Sequence, residues 1–254
     1  MRRVVQLRCE HSTLIGTVDE AGGSTGVRIV SGGNEVRCGA HRGMALLAQR
    51  LASQGVPVFR FDRRGVGDSE GENGGYASAA PDIVAATSAF RREQPHVTRI
   101  IGFGNCDAAT ALLLLDHECT ALVLANPWLG DESAPLPPAA LRAYYLRRLG
   151  SAGAWRRLFV DKFRSLGGLT AIIGKAKEQP LAQRLRAALG NRPTTIVLAS
   201  GDRTAQVFAA SVSIPGHVRL VRVDTASHSF AGQGDALAKV LLDTIAALDD
   251  KAVS

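Results

Sequence analysis

The chain has 254 residues, a length that favours one large core over two independent domains. Its 46% hydrophobic and 21% charged residues are ordinary globular composition and exclude a disordered or collagen-like chain. The net charge of +7 is unevenly placed, because twelve Lys or Arg stand against four Asp or Glu between Trp128 and Arg192; a basic surface suits an acidic substrate, an anionic membrane or a solvated helical face, and without a zinc-finger or RNP-type motif no nucleic-acid partner is expected.

The opening residues, MRRVVQLRCEHSTLIG, contain no uninterrupted apolar stretch and no small-residue cleavage pattern, so they do not read as a signal peptide. No apolar run reaches about 18 residues, and no integral membrane segment is expected. Short strands are predicted over Val4 to Leu7, Leu14 to Val18 and Val27 to Val30, the last running into the small-residue turn Ser31-Gly32-Gly33-Asn34. Met44, Leu47, Ala48 and Leu51 recur at helical spacing and predict an amphipathic helix over His41 to Ser53. A β-rich stretch from Val56 to Phe61 leads into the polar loop Asp62 to Ser69, and a helix is expected from Ser78 to Arg92. Ile100 to Phe103 reads as a strand and Cys106 to Leu115 as a helix.

Strands alternating with helices imply a mostly parallel central sheet covered on both faces, an α/β fold. The apolar runs Ala121 to Leu124 and Thr195 to Leu198 fit buried parallel strands. Between them the alternation breaks for a stretch too long for a crossover and too patterned for a loop. Leu141, Tyr144, Tyr145 and Leu149 form one helical stripe there, and Trp155, Leu158, Phe159 and Phe163 a second. Residues 128–192 are therefore expected to form a helical cap inserted into a single domain spanning 1–254. The sheet pattern resumes at Val218 to Val223, and a helix from Asp235 to Leu248 closes the chain.

The chemistry centres on Gly104-Asn105-Cys106-Asp107-Ala108, set between a strand and a helix as a nucleophile elbow requires. A sharp turn there exposes one side chain, Cys106, while the small flanking residues permit close backbone passage. A helix N-terminus stabilises a thiolate and aims N–H groups at developing negative charge. The alternative is a cysteine serving only as a small residue at a tight turn. His228, in a loop between a late strand and the last helix, is the expected base. Asp202, just beyond the strand ending at Leu198, is the expected acid that orients it; a helix-capping role and Asp224 are the alternatives. Oxyanion donors are expected from the Asp107 N–H and from the Gly33 or Asn34 region. The spacing of His, Cys and acidic residues calls for no metal, and no nucleotide-binding fingerprint implies a cofactor.

With these residues in view, the chain resembles the α/β-hydrolase superfamily over nearly its whole length. More narrowly, it is similar to the exosortase A system-associated hydrolase type 1 family through Gly32 to Arg42, Phe61 to Gly71, Gly104 to Ala109, Asn126-Pro127-Trp128 and Tyr144 to Leu149. The order Cys106, Asp202, His228 agrees with the nucleophile, acid, histidine order of that superfamily. The resemblance implies a bacterial setting linked to exopolysaccharide production at the envelope, with peripheral envelope association. The expected activity is that of a cysteine-nucleophile hydrolase cleaving an ester or thioester of a small, anionic acyl substrate through a thioacyl-enzyme. An acyltransferase using the same intermediate and a non-catalytic binding protein on the same fold are the alternatives. Four cysteines without Cys-x-x-Cys spacing suggest a reducing, cytoplasmic compartment.

Overall fold

The computed structural model describes residues 1–130, 180–190 and 192–253. Among these, eight strands form one sheet: β1 (Arg2–Cys9), β2 (Ser12–Asp19), β3 (Thr25–Val30), β4 (Val58–Phe61), β5 (Arg99–Asn105), β6 (Ala121–Ala125), β7 (Thr194–Ala199) and β8 (Arg219–Val223). Their order is β1-β2-β4-β3-β5-β6-β7-β8. The pairs β1/β2 and β2/β4 are antiparallel and every later pair is parallel. Chain order reverses direction across the sheet at β3, so the loops after β3 and β5 open side by side at one edge, the crevice where doubly wound sheets place their sites.

The residue pattern explains this layout. Edge strand β1 alternates, burying Val5, Leu7 and Cys9 while turning charged residues outward. Strands β3, β4, β6 and β7 are buried at every position, as β-branched and aliphatic runs covered on both faces must be. The other edge, β8, exposes Arg219 and Arg222, charges that discourage edge-to-edge pairing.

Helices cover both faces. On one, α1 (Gly43–Ser53) and α6 (Gly234–Val253) bury Leu47, Leu51, Leu237 and Leu241 against β3 to β7. On the other, α2 (Ala80–Glu93), α3 (Asp107–Leu115), α4 (Pro180–Ala188) and α5 (Arg203–Ser211) pack Ile83, Phe90, Leu112, Leu185 and Phe208 into a second apolar layer. Beneath that layer Arg28 and Asp116, both fully buried, form an ion pair, and Arg28 also donates to Thr87. Arg28 is thus a charged residue in a central strand, held by Thr87 of α2 and by Asp116, the C-cap of α3.

Three local features differ from the sequence reading. Helix α1 begins at Gly43, because His41 and Arg42 both take left-handed backbone angles, φ 51° and 61°, in a 3₁₀ turn ahead of it. Helix α2 likewise starts after a separate 3₁₀ turn at Tyr76–Ser78. Helix α5 is implied only by the capping alternative for Asp202 and is covered by none of the predicted elements. The aromatic stripes at 141–149 and 155–163, and with them most of the expected cap over 128–192, lie outside the described residues; within that interval, α4 packs Ala182 and Leu185 into the core beside α3.

Candidate active site

The turn from β5 to α3 is built around backbone that only small residues allow. A Cβ on Gly104 would stand 2.9 Å from the Ala108 carbonyl carbon, so the strand leaves no space for a side chain there. Across the turn, a Cβ on Gly32 would meet the Asn105 carbonyl oxygen at 2.5 Å. Cys106 sits at φ 60°, ψ −127°, a strained conformation for a residue other than glycine and of the kind that accumulates at functional sites. Its N–H donates to the Ala125 carbonyl at 3.0 Å, and its own carbonyl accepts from Ala109 at 3.1 Å and from Trp128 at 3.3 Å. The elbow is therefore tied to both α3 and the end of β6, with Cys106 half-buried at its apex.

His228 and Asp202 come together. Nδ1 of His228 donates to Oδ1 of Asp202 at 3.0 Å, and the other carboxylate oxygen accepts from the Ala205 N–H at 2.9 Å. Asp202 thus meets the histidine through one oxygen and caps α5 through the other, so the two placements open in the sequence are compatible. The bond to Asp202, then that to Cys106, raises the His228 pKa to about 10 against the opposing effect of burial. The imidazole therefore stands between the carboxylate and the elbow thiol, and this brings the three expected residues into one cluster.

Two asparagines hold the histidine loop by its main chain. Nδ2 of Asn105 and Nδ2 of Asn126 each donate to the His228 carbonyl at 3.1 Å. Asn126, fully buried at φ 41°, also accepts from the Ala199 N–H at 2.9 Å, which links β6, β7 and the histidine loop at a single residue. The sequence contained both positions, in Gly104-Asn105-Cys106 and Asn126-Pro127-Trp128, but nothing in their local spacing assigns them this grip.

The early loop is tied to the elbow, which leaves its two amides in different states. The Gly33 N–H donates to Oδ1 of Asp107 at 2.5 Å, while the other oxygen of Asp107 accepts from Nη2 of Arg63 at 3.0 Å. Arg63 also donates to the Gly33 carbonyl at 2.7 Å, and Asn73 Nδ2 donates to the same oxygen at 2.8 Å and to Asn34 Oδ1 at 2.9 Å. Arg63 is the residue that sequence reasoning passed over; its guanidinium locks the loop to the elbow. The Asp107 N–H, in the first turn of α3, is among the amides a helix leaves without an internal acceptor. Aromatic surface flanks the elbow, where Tyr76 and Trp128 stand with ring centroids 5.8 Å apart and Thr110 Oγ1 donates to the Trp128 carbonyl at 2.6 Å.

Among the described residues no group of three or more His, Cys, Asp or Glu side chains is arranged to hold a metal ion. No helix among them is long and apolar enough to cross a membrane.

Comparison with known proteins agrees with this layout. Residues 27–185 match the family described as serine aminopeptidase, S33. Similar solved structures include an esterase, Pf2001, from Pyrococcus furiosus, at 17% identity and TM-score 0.64, covering 96% of this chain and 92% of that one. An α/β hydrolase, GrgF, from Penicillium sp. sh18 aligns at 17% identity and TM-score 0.65, over 96% of this chain and 97% of that one. A thioesterase domain from the curacin biosynthetic pathway aligns at 15% identity and TM-score 0.57, over 96% and 99%. No curated protein matches the chain in sequence.

These findings correct two expectations. The matched family is a serine-type one, which overturns the assignment of a cysteine-nucleophile hydrolase working through a thioacyl-enzyme and the acyltransferase that shared this intermediate, and as an enzyme family it also sets aside the separate alternative of a non-catalytic binding protein. The signal that misled was the side chain at the elbow apex: Cys106 was given a mechanism from its position, and position belongs to the fold. The exosortase-associated and exopolysaccharide reading also goes no further, since the match lies with the S33 family. With its mostly parallel sheet, its elbow and a family match spanning more than half its length, this chain is an α/β-hydrolase-fold enzyme and belongs to the serine aminopeptidase S33 family.

Proposed function

We propose that the chain hydrolyses a carboxylic ester or thioester, with His228 as general base, Asp202 as the group that orients it, and the Asp107 N–H as oxyanion donor above the elbow at residue 106. The observation that carries this reading is the 3.0 Å bond from His228 Nδ1 to Asp202, which leaves the far side of the imidazole turned to the elbow. In that geometry His228 takes the proton of the hydrolytic water and returns it to the departing alkoxide or thiolate, while Asp202 stabilises the imidazolium formed in between. Negative charge developing on the carbonyl oxygen falls at the N-terminus of α3, where helix dipole and free amide both favour it. Of the two early-loop amides, that of Gly33 is held by Asp107; that of Asn34 has no main-chain or side-chain acceptor among the described residues and is the second donor.

An esterase and a thioesterase domain among the similar structures support this substrate class, and the aromatic pair Tyr76 and Trp128 offers an apolar wall for the acyl group. All four cysteines are free thiols, in keeping with a cytoplasmic setting. The test is turnover of a panel of p-nitrophenyl esters and acyl-CoA thioesters by the wild type, His228→Ala and Cys106→Ser, with folding checked by circular dichroism. Hydrolysis that disappears in His228→Ala and is retained or raised in Cys106→Ser, which restores the family's hydroxyl, supports the reading. Turnover unaffected by His228→Ala, or none on any member of the panel, overturns it.

A further inference from the structure

On the α1 side of the sheet, beside the antiparallel strands, lies an open cleft of about 650 Å³ whose walls include Arg2, Arg37, Arg42, Arg60, Cys38 and Asp68. Most of its charge is internally matched. Arg2 and Arg60 share Asp19, at 2.6 and 3.1 Å, and Arg37 pairs with Asp62 and, at 3.1 Å, with Asp68. Among the described residues two donors are left over. Arg60 is 3% exposed, and its Nε is buried without a hydrogen-bond partner. Arg42 is exposed and forms no ion pair among the described residues, yet it is fixed at the rim by consecutive left-handed residues, His41 and Arg42. Such backbone is retained only where its surroundings impose it. Gly39 shows how tightly that turn is packed, since a Cβ there would lie 2.6 Å from Met44 Cγ.

Cys38 enters this cleft half-buried. A partly exposed thiol among guanidinium groups is the environment in which cysteines react. The other two thiols away from the elbow are of the opposite kind: burial raises both Cys9 and Cys119 to about 12.

We propose that the cleft is a thiol-modification site at which Cys38 forms a mixed disulfide with a small anionic disulfide of the glutathione class. The carboxylates of such a reagent match the guanidinium of Arg42, which forms no ion pair among the described residues, and the positive charge of Arg60 in the cleft wall, and the volume admits a short peptide. In the reaction the Cys38 thiolate attacks one sulfur of the reagent. A new S–S bond forms at Cys38, the reagent's own S–S bond breaks, and its second half leaves as a thiolate that takes up the proton Cys38 released. The reagent is the oxidant, so no other co-reactant is needed. The modified residue lies five positions along the loop from Gly33, whose amide and carbonyl are bound by Asp107 and Arg63, so an adduct there bears on the loop beside the elbow.

The experiment exposes the full-length protein to glutathione disulfide, which is anionic, and to cystamine, which is cationic, at equal concentration and low ionic strength. Adducts are quantified by intact mass and assigned by peptide mapping, which separates Cys38 from Cys106. Expected are glutathionylation at Cys38 about fivefold or more faster than cystamine addition, the scale of one charge contact in water, and erosion of that preference by added salt. Arg42→Glu, and the milder Arg42→Gln in case the first does not fold, should each reduce the preference. Equal rates for the two disulfides, adducts confined to Cys106, or a preference unchanged by both Arg42 variants overturns the proposal.

Discussion

Each oxygen of Asp202 has its own partner, and the one that meets His228 decides how the imidazole titrates. His228 is raised to about 10 first by Asp202 and then by Cys106, so the imidazole is protonated at neutral pH and its basic form grows as pH climbs. Ester hydrolysis should accordingly rise through the alkaline range and level off near pH 10 in a pH-rate profile. Asp202→Asn removes the main cause, so the limb should move down toward the ordinary histidine value of about 6.5 while the maximal rate falls on the order of 10³-fold or more through the lost orientation. A limb that stays in place would show that Asp202 does not govern the base. Asp107 carries a different load. With Arg63 only 2% exposed, Asp107→Ala leaves that guanidinium without its carboxylate, and the expected cost is about 3–5 kcal/mol in urea denaturation. At this scale the proximity of His228, Asp202 and Cys106 was legible because chain order and strand ends place them. The Asp107 carboxylate on the Gly33 amide was not, because it joins residues 74 positions apart and leaves no local pattern.

Among the elements, the buried parallel strands were legible from their unbroken apolar runs, since a strand covered on both faces has nowhere to put a polar residue. Helix α5 was hidden by its composition. It is short, only Ala205 and Phe208 of its residues are buried, and its start is specified by Asp202, whose side chain caps Ala205 once β7 has delivered it there. Helix α4 falls in the segment read as a cap inserted into the domain, and its Leu185 is fully buried in the layer shared with α3. Leu185→Ala should therefore destabilise the sheet domain by about 2–5 kcal/mol, shifting a single cooperative unfolding transition followed by circular dichroism. A change below 0.5 kcal/mol, the scale of a surface substitution, would mean that α4 is peripheral to the core.

For the molecule as a whole, the cysteines divide by environment. Cys9 is buried against Asp82 and Cys119 against Arg28 and Asp116, whereas Cys38 and Cys106 are half-buried near the surface. Native protein treated with an excess of a neutral thiol reagent near pH 7.5 should label Cys38 and Cys106 alone, with Cys9 and Cys119 joining only on denaturation; early labelling of either buried thiol would contradict the fold. Composition and alternation were enough to identify the α/β architecture, because a parallel sheet imposes its period on the whole chain. The reaction type was not, because one side chain at an apex carries too little information against the family to which the surrounding fold belongs.

The grip of Asn105 and Asn126 on the His228 carbonyl separates where the loop sits from what it bears. Because the anchoring is through the main chain, deleting the imidazole should leave the loop in position with a ring-sized vacancy bordered by Asp202. Free imidazole added to His228→Ala should then fill that vacancy and restore part of the hydrolysis in a saturable, concentration-dependent way. The same addition to a variant that also carries Asn126→Ala should restore much less, since the vacancy itself would have lost its walls.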